Sequence, residues 1–370
     1  MSNVFFKVFP TPVSMSVPAV GFDLTDEAVR FVVFERDSKL VGGNKCETDL
    51  KVSAYAEVVI PAGIITNGFI NDEKALTDLL RDFAKKFNVS YVHASLPEEK
   101  LYLFTTEVSS VSHDEIMQNI EFKLEENVPI PASNALFAYS IISHPSSTST
   151  KVSVSVAPRK AVETYLNVLL GAGIKPLSFS IQAEGLSKAV IPKNTKGAHC
   201  LVNVMEENTG IYLTSGNTVC FTSTVGVGSK SFSSVLSGQV QQPLVNKGVD
   251  SKMVISSREI IKGVLRNNTL SKEMIDAIKL PVNTLSAEIS KVINYWNTHR
   301  DELGQVESIM ISGDEAYIPG VSDGISKATG VKVVPANVWS NVCSFNNYIP
   351  PIEAYDAFDF GVAIGLALKG

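Results

Sequence analysis

The chain has 370 residues, a formal net charge of −6 and an apolar fraction of 45%. That length exceeds what one hydrophobic core supports and predicts two or three subdomains. The acidic balance, with no long Lys/Arg run, excludes a nucleic-acid binder, because neutralising phosphates takes clustered cations.

No stretch reaches the roughly 18 uninterrupted apolar residues of a spanning helix. Residues 1–16, opening "MSNVFFKVFPTPV", read as an N-terminal extension. Lys7, Pro10 and Pro12 break the segment, and it lacks the basic start and smooth apolar run of a signal peptide, so the expected location is the cytoplasm. Phe5, Phe6 and Phe9 are expected to pack on the chain's own surface or to stay disordered, with a membrane or partner contact as the alternative. Cys46, Cys200, Cys220 and Cys343 stand far apart without a C-x-x-C pair. They read as reduced core thiols.

In "AVGFDLTDEAVRFVVFE" an apolar strand runs to Asp23, turns, and resumes as an alternating strand with Val29, Phe31 and Val33. "EVVIPAGIITNGFINDEKALTDLLRDFAKKFN" gives a strand, a Gly-rich turn and a helix capped by Asn71 or Asp72, with Ala75, Leu79, Leu80 and Phe83 as its apolar stripe. "VSYVHASLP" is a buried-strand pattern, and His93 within it reads as structural. "LYLFTTEV" is a strand. "SHDEIMQNIEFKLEENV" is a helix with a Ser112/Glu115 capping box and an Ile116, Ile120, Leu124 stripe. "LFAYSII" and "KVSVSVAP" form a hairpin across a Ser/Thr-rich turn, followed by a helix that ends at Gly171 or Gly173. This strand–helix–strand–strand block has the order of a unit inserted into a larger host.

The sequence then restarts. "HCLVNVMEENTGIYLTSGNTVCFTSTVGVG" repeats the strand–turn–strand–turn–strand order of residues 19–60, with Ser215-Gly216-Asn217 as a hairpin turn, and predicts a duplicated α/β domain. "SAEISKVINYWNTHR" places Ile289, Val292, Ile293 and Trp296 on one core-facing side. "VESIMISGDEAYIPGVSDGISKATG" is a buried strand, a tight Gly turn and a helix, and "FDFGVAIGLALKG" is a Gly/Ala helix suited to close packing.

The stretches "VGFDLTDEAVRFVVFE", "IPAGIITNGFINDEKALTDLLRDF", "LEENVPIP", "LVNVMEENTGIYLTSG", "MISGDEAYIPGV" and "FGVAIGLAL" together resemble the PilM family of type IV pilus assembly proteins, in the actin/FtsA-like superfamily. "NGFINDEKAL" with "LEENVPIP" is the most specific pair. The resemblance implies an actin-like (ribonuclease H-like) duplicated α/β fold with an inserted SHS2-type subdomain. The expected boundaries are 17–88 with 176–195 and 345–370 for the first lobe, 89–175 for the insertion and 196–344 for the second lobe. It further implies a cytoplasmic scaffold of the pilus alignment complex, held at the inner face of the membrane by the N-terminal cytoplasmic tail of PilN. Other pilus inner-membrane components, motor ATPases and a second copy of the chain complete the implied partners. The peptide groove is expected between the first lobe and the insertion, where Pro129 and Pro131 either contact the peptide or only shape the loop.

The same resemblance implies an ATP/Mg cleft whose contacts would be Asp23, Thr25, Gln182, Asn203, Gly228 and Gly313, with Mg²⁺ reached through Asp23. The sequence departs from the family pattern at all three loops. Thr25-Asp26-Glu27 replaces a glycine and hydroxyl pair, Asn203-Val204-Met205 replaces Asp-x-Gly, and Ser312-Gly313-Asp314-Glu315 replaces Ser-Gly-Gly-Gly. Met205 would put a side chain where backbone must meet phosphate. Asp26 or Asp314, directed inward, would repel a polyanion by about 4 kcal/mol per pair at 4 Å, although an Asp at a turn can instead bond its own backbone. The expectation is an eroded site without catalytic residues and without efficient hydrolysis. The enzyme alternative, an ATPase or sugar-kinase-like protein using Gln182 or Glu184, needs an intact second loop. A division protein like FtsA would carry an amphipathic membrane helix beyond the point where this sequence ends.

Overall fold

The computed structural model describes residues 20–36, 50–98, 101–239, 257–266, 270–299, 303–342, 345 and 348–368. The N-terminal extension 1–16 with its phenylalanines, Cys46 and Cys343 lie outside the described residues.

Two five-stranded sheets share one topology. In the first, β1 (Val20–Leu24), β2 (Ala28–Arg36) and β3 (Leu50–Val59) form an antiparallel meander. On the other side of β1 lie β6 (Tyr91–Leu96) and β10 (Lys175–Ile181), both parallel to it, giving the order β10-β6-β1-β2-β3. In the second, β11 (Ala198–Val204), β12 (Thr209–Ser215) and β13 (Thr218–Val225) repeat the meander, and β14 (Val306–Ser312) and β15 (Lys332–Pro335) repeat the parallel pair. β1 is buried at every position, which explains its apolar run up to Asp23: a central strand covered on both faces needs no polar alternation. Cys200 and Cys220 are buried free thiols of the second lobe, and burial pushes both up to about 12.

Helices cover the outer faces. On the first sheet α1 (Glu73–Phe87) sets Phe83 edge-on against Phe22 and Phe31, at centroid distances of 5.8 and 5.3 Å. Asp72 caps this helix by accepting from the Ala75 amide at 2.9 Å. Its buried stripe is Leu76, Leu80, Phe83 and Ala84 rather than one that includes Ala75 and Leu79. On the second sheet α8 (Lys279–His299) buries Ile289, Val292, Ile293 and Trp296, and it starts earlier than the apolar pattern suggests because Pro281 is tolerated in a first turn. Around it lie α5 (Ser229–Gln239), α6 (Ser257–Arg266), α7 (Lys272–Ala277) and α9 (Val321–Thr329).

Two short helices fill the space between the sheets. α10 (Gly361–Ala367) lies on β1, and α4 (Gln182–Val190) lies against the second sheet, where Ser187 Oγ donates to the Asn217 carbonyl at 2.8 Å. They cross each other backbone to backbone. A Cβ at Gly365 would stand 1.7 Å from the Gly185 carbonyl oxygen, and one at Gly21 would stand 1.8 Å from the Ala363 oxygen. Small residues at these positions let the layers approach.

The inserted unit is β7 (Tyr102–Val108), α2 (His113–Asn127), β8 (Ala135–Ser146) and β9 (Ser149–Pro158), with β9 between β7 and β8. Alternation along β9 divides its faces. Val152, Val154 and Val156 meet Ile116, Ile120 and Leu124 of α2. Ser153 and Ser155 point the other way and donate to the Val219 carbonyl at 2.5 Å and to Glu184 at 3.3 Å.

The unit is narrower than the expected 89–175. β6 pairs directly with β1, and α3 (Arg159–Gly171) buries Tyr165, Val168 and Leu169 in the core of the first lobe, so three-stranded pairing spans only 102–158. The α3 helix stops before Gly173, which has a φ of +84°. The expected capping box does not form, since Ser112 makes no side-chain cap bond and Glu115 instead accepts from Ser110 Oγ. His93 is structural, paired with Ser178 Oγ at 2.8 Å.

Candidate functional site: the cleft and the inserted groove

The C-terminal ends of β1 and β11 and the first turn of α4 converge in a small cavity. Asp23, Thr25, Arg30, Gln182, Asn203, Met205, Phe358, Asp359 and Val362 line it, and its free volume is about 20 Å³. That is room for about one water; ligand sites usually measure about 300–1,000 Å³.

Asp23 is 3% exposed. Ser95 Oγ donates to its Oδ1 at 2.7 Å and Gln182 Nε2 at 3.3 Å, while the Leu24 amide donates to Ser95 Oγ at 3.0 Å. Arg30, the β2 partner of Asp23 in register, is buried and donates from Nε to Glu57. Arg30 was legible only as the lone charge inside an otherwise apolar strand, "AVRFVVF", on the parity that faces α10.

The turn after Asp23 uses up its polar groups locally. Thr25 Oγ1 donates to the Ala28 carbonyl at 3.0 Å and accepts from the Ala28 and Glu27 amides at 3.1 and 3.3 Å. Asp26 points neither into the cleft nor back at its own turn. It accepts from the Asn67 amide and, at 3.1 Å, from the Gly68 amide. Those amides belong to the hairpin of β4 (Ile65–Thr66) and β5 (Phe69–Ile70), whose Gly68 carbonyl also accepts from Tyr165 at 3.1 Å. An Asp in the turn is thus the anchor of the "TNGFIND" segment.

The second loop, Met205 to Asn208, closes with the Met205 amide on the Asn208 carbonyl at 2.9 Å, and Met205 occupies the cavity wall. Gly228 does not line the cavity. A Cβ there would stand 2.5 Å from the Met205 and Glu206 carbonyl oxygens, so its role is to seat the start of α5 on the loop. Gly313 does not line it either. Its φ is +149°, and a Cβ would lie 2.6 Å from Glu315 Oε2 and 3.0 Å from Val204 Cβ. Asp314 and Glu315 are buried in the 3-10 turn that follows, and Ser229 Oγ donates to Glu315 at 2.6 Å, tying the second loop to the third. Of the six expected nucleotide contacts, the structure brings Asp23, Thr25, Gln182 and Asn203 together and gives both glycines to loop packing.

A charged contact crosses the mouth. Lys262 of α6 is 4% exposed, and its Nζ donates to Asp356 Oδ1 at 2.7 Å and Asp359 Oδ2 at 3.4 Å. Arg266 reaches Glu353 at 2.7 Å. Sequence reasoning missed these pairs, which join residues almost a hundred positions apart.

On the insertion, α2 and β8 flank an open groove of about 610 Å³ lined by His113, Met117, Phe137, Ala138, Tyr139, Ser140 and Ile141. His113 Nδ1 and the Tyr139 hydroxyl are 2.6 Å apart with their rings stacked, and desolvation with the Asp114 charge raises the Tyr139 phenol. β8 pairs with β9 on one side only among the described strands. Pro129 and Pro131 are exposed beyond the far end of α2, between buried Val128 and half-buried Ile130 and Ala132, and they do not line this groove.

The family model described as "Type IV pilus assembly protein PilM" matches residues 21–370. The chain belongs to the PilM family of type IV pilus assembly proteins. Among solved structures it is similar to the PilM–PilN type IV pilus biogenesis complex, with a TM-score of 0.71 and 19% identity over 95% of this chain and 98% of that one. It is also similar to the ethanolamine utilization protein EutJ from Carboxydothermus hydrogenoformans, with a TM-score of 0.52 and 14% identity over 98% of this chain and 92% of that one. No curated protein matches the chain significantly. These likenesses and the doubled sheet order make the fold actin-like α/β. No helix among the described residues is long and apolar enough to cross a membrane.

Proposed function

We propose that this PilM-family chain is a scaffold of type IV pilus assembly that captures the extended N-terminal cytoplasmic tail of a PilN-like membrane protein, and that its cleft has lost nucleotide turnover. Such a tail would hold it at the inner face of the membrane. The observation that supports the reading is the small cavity lined by Asp23, Gln182 and Asn203 inside a PilM-family fold, about 20 Å³ where ligand sites usually measure about 300–1,000 Å³.

The inserted unit supplies what an extended peptide requires. Among the described strands β8 is at an edge of its sheet, and Met117, Phe137 and Ile141 offer apolar contacts beside it, on an insertion that touches β13 of the second lobe through Ser153 and the Ile141 carbonyl. Main-chain pairing gives affinity in such sites, and alternate side-chain pockets give selectivity. An interface of this kind is apolar, so its affinity changes little with salt.

The test is capture of the N-terminal peptide of the PilN encoded beside this protein by the full-length chain, measured by fluorescence anisotropy at low and high salt. Binding that Ile141→Asp weakens at least tenfold, with little salt dependence, is expected. Absence of binding by the intact chain removes the support for the partner; binding untouched by Ile141→Asp moves the site elsewhere, toward Pro129 and Pro131.

A further inference from the structure

Lysine is almost never fully buried unless it is paired, and Lys262 is buried in a place where its pairing joins two bodies. Its neighbours Ile261 and Val264 belong to the outer core of the second lobe. Its ammonium reaches across to Asp356 and Asp359, immediately before α10, which rests on β1 of the first lobe. Asp359 is at the same time a wall of the small cavity, beside Asp23, Arg30 and Gln182.

We propose that Lys262 is a built-in clasp: its ammonium holds the two lobes closed across the mouth of the cleft, so that closure needs no bound ligand. The pivot it works against is the crossing of α4 and α10, where Gly185 and Gly365 touch through backbone. On the other side of that pivot the insertion already bridges the lobes, with Ser153 on the Val219 carbonyl of β13 and Ser155 on Glu184 of α4. Arg266–Glu353 lies further out, with both side chains well exposed, and contributes little because water and salt screen it. Lys262 differs because its partner Asp359 has only 13% side-chain exposure. Replacing the lysine by methionine keeps an apolar stem of similar size and removes the charge. Asp356 and Asp359 then lose their shared counter-charge beside a cavity that Asp23 also lines, and hydrating those carboxylates favours an open mouth. The clasp stands independently of the pilus assignment, whose own test is peptide capture.

Hydrogen exchange with mass spectrometry on the full-length chain tests it. In Lys262→Met, peptides covering residues 257–266 and 353–364 should exchange about tenfold faster or more, while peptides from β1 and β11 keep the wild-type rate and report that the lobes are folded. Asp359→Asn should move the same two segments in the same direction by less. Adding Mg-ATP to the wild type should leave both segments unchanged. Wild-type exchange in Lys262→Met overturns the clasp, and so does Mg-ATP slowing the two segments in the unmodified chain. Where Lys262→Met fails to fold, Asp359→Asn decides, and unchanged exchange there also overturns it.

Discussion

Where α4 crosses α10 the layer between the two sheets is held through backbone, and where α6 meets the segment before α10 the contact is through charge. The crossing leaves no room for a side chain: Gly365 and Gly21 sit under carbonyl oxygens at distances only a missing Cβ allows. The contact before α10 is the opposite, made by long side chains from distant parts of the chain, Lys262 with Asp356 and Asp359. Close backbone packing fixes which lobe arrangement is available. In the clasp proposed above, side-chain charge keeps the space between the lobes closed.

Substitutions separate the two kinds of contact by size of effect. Gly365→Ala should be the most damaging, because a methyl group 1.7 Å from the Gly185 oxygen has backbone, not a movable side chain, in its way. A loss of about 3 kcal/mol or more, or failure to fold, is expected in urea denaturation; a loss below about 1 kcal/mol would mean that the crossing adjusts freely. Asp26→Ala comes next. It frees the Asn67 and Gly68 amides and should cost about 1 kcal/mol, with faster amide exchange confined to residues 64–71. Exchange that spreads into the cleft instead would show that Asp26 acts on the nucleotide turn. Arg266→Ala, which removes the exposed neighbour of the clasp, should change stability by no more than about 0.5 kcal/mol.

The contrast also explains what was legible in the sequence. Close backbone approach leaves a trace, and the Gly/Ala-rich "FGVAIGLAL" reads as a tightly packed helix before any coordinates are considered. The meander of residues 198–225 reads as a second copy because strand period and turn residues are local signals. The bounds of the insertion are not legible, since "VHASL" and "TYLNVLL" look equally buried whichever core receives them; only pairing with β1 and packing beside Phe22 place them with the first sheet. In the cleft, the replacements at Thr25, Asp26 and Met205 signalled a changed site, but not where each group turned. Asp26 found the backbone of Asn67 and Gly68, more than forty residues away. Lys262 gave no signal, because a lysine on an amphipathic helix reads as solvated until its partners from the chain's far end are in place.

The central claim is that this actin-like cleft is filled by the protein's own side chains and does not run a nucleotide cycle. Isothermal titration of the full-length chain with Mg-ATP, followed by a phosphate-release assay on the same sample, tests it most directly. The account predicts binding no tighter than micromolar and negligible hydrolysis, both indifferent to Asp23→Ala. Rapid turnover that Asp23→Ala abolishes would contradict it and identify the chain as an ATPase.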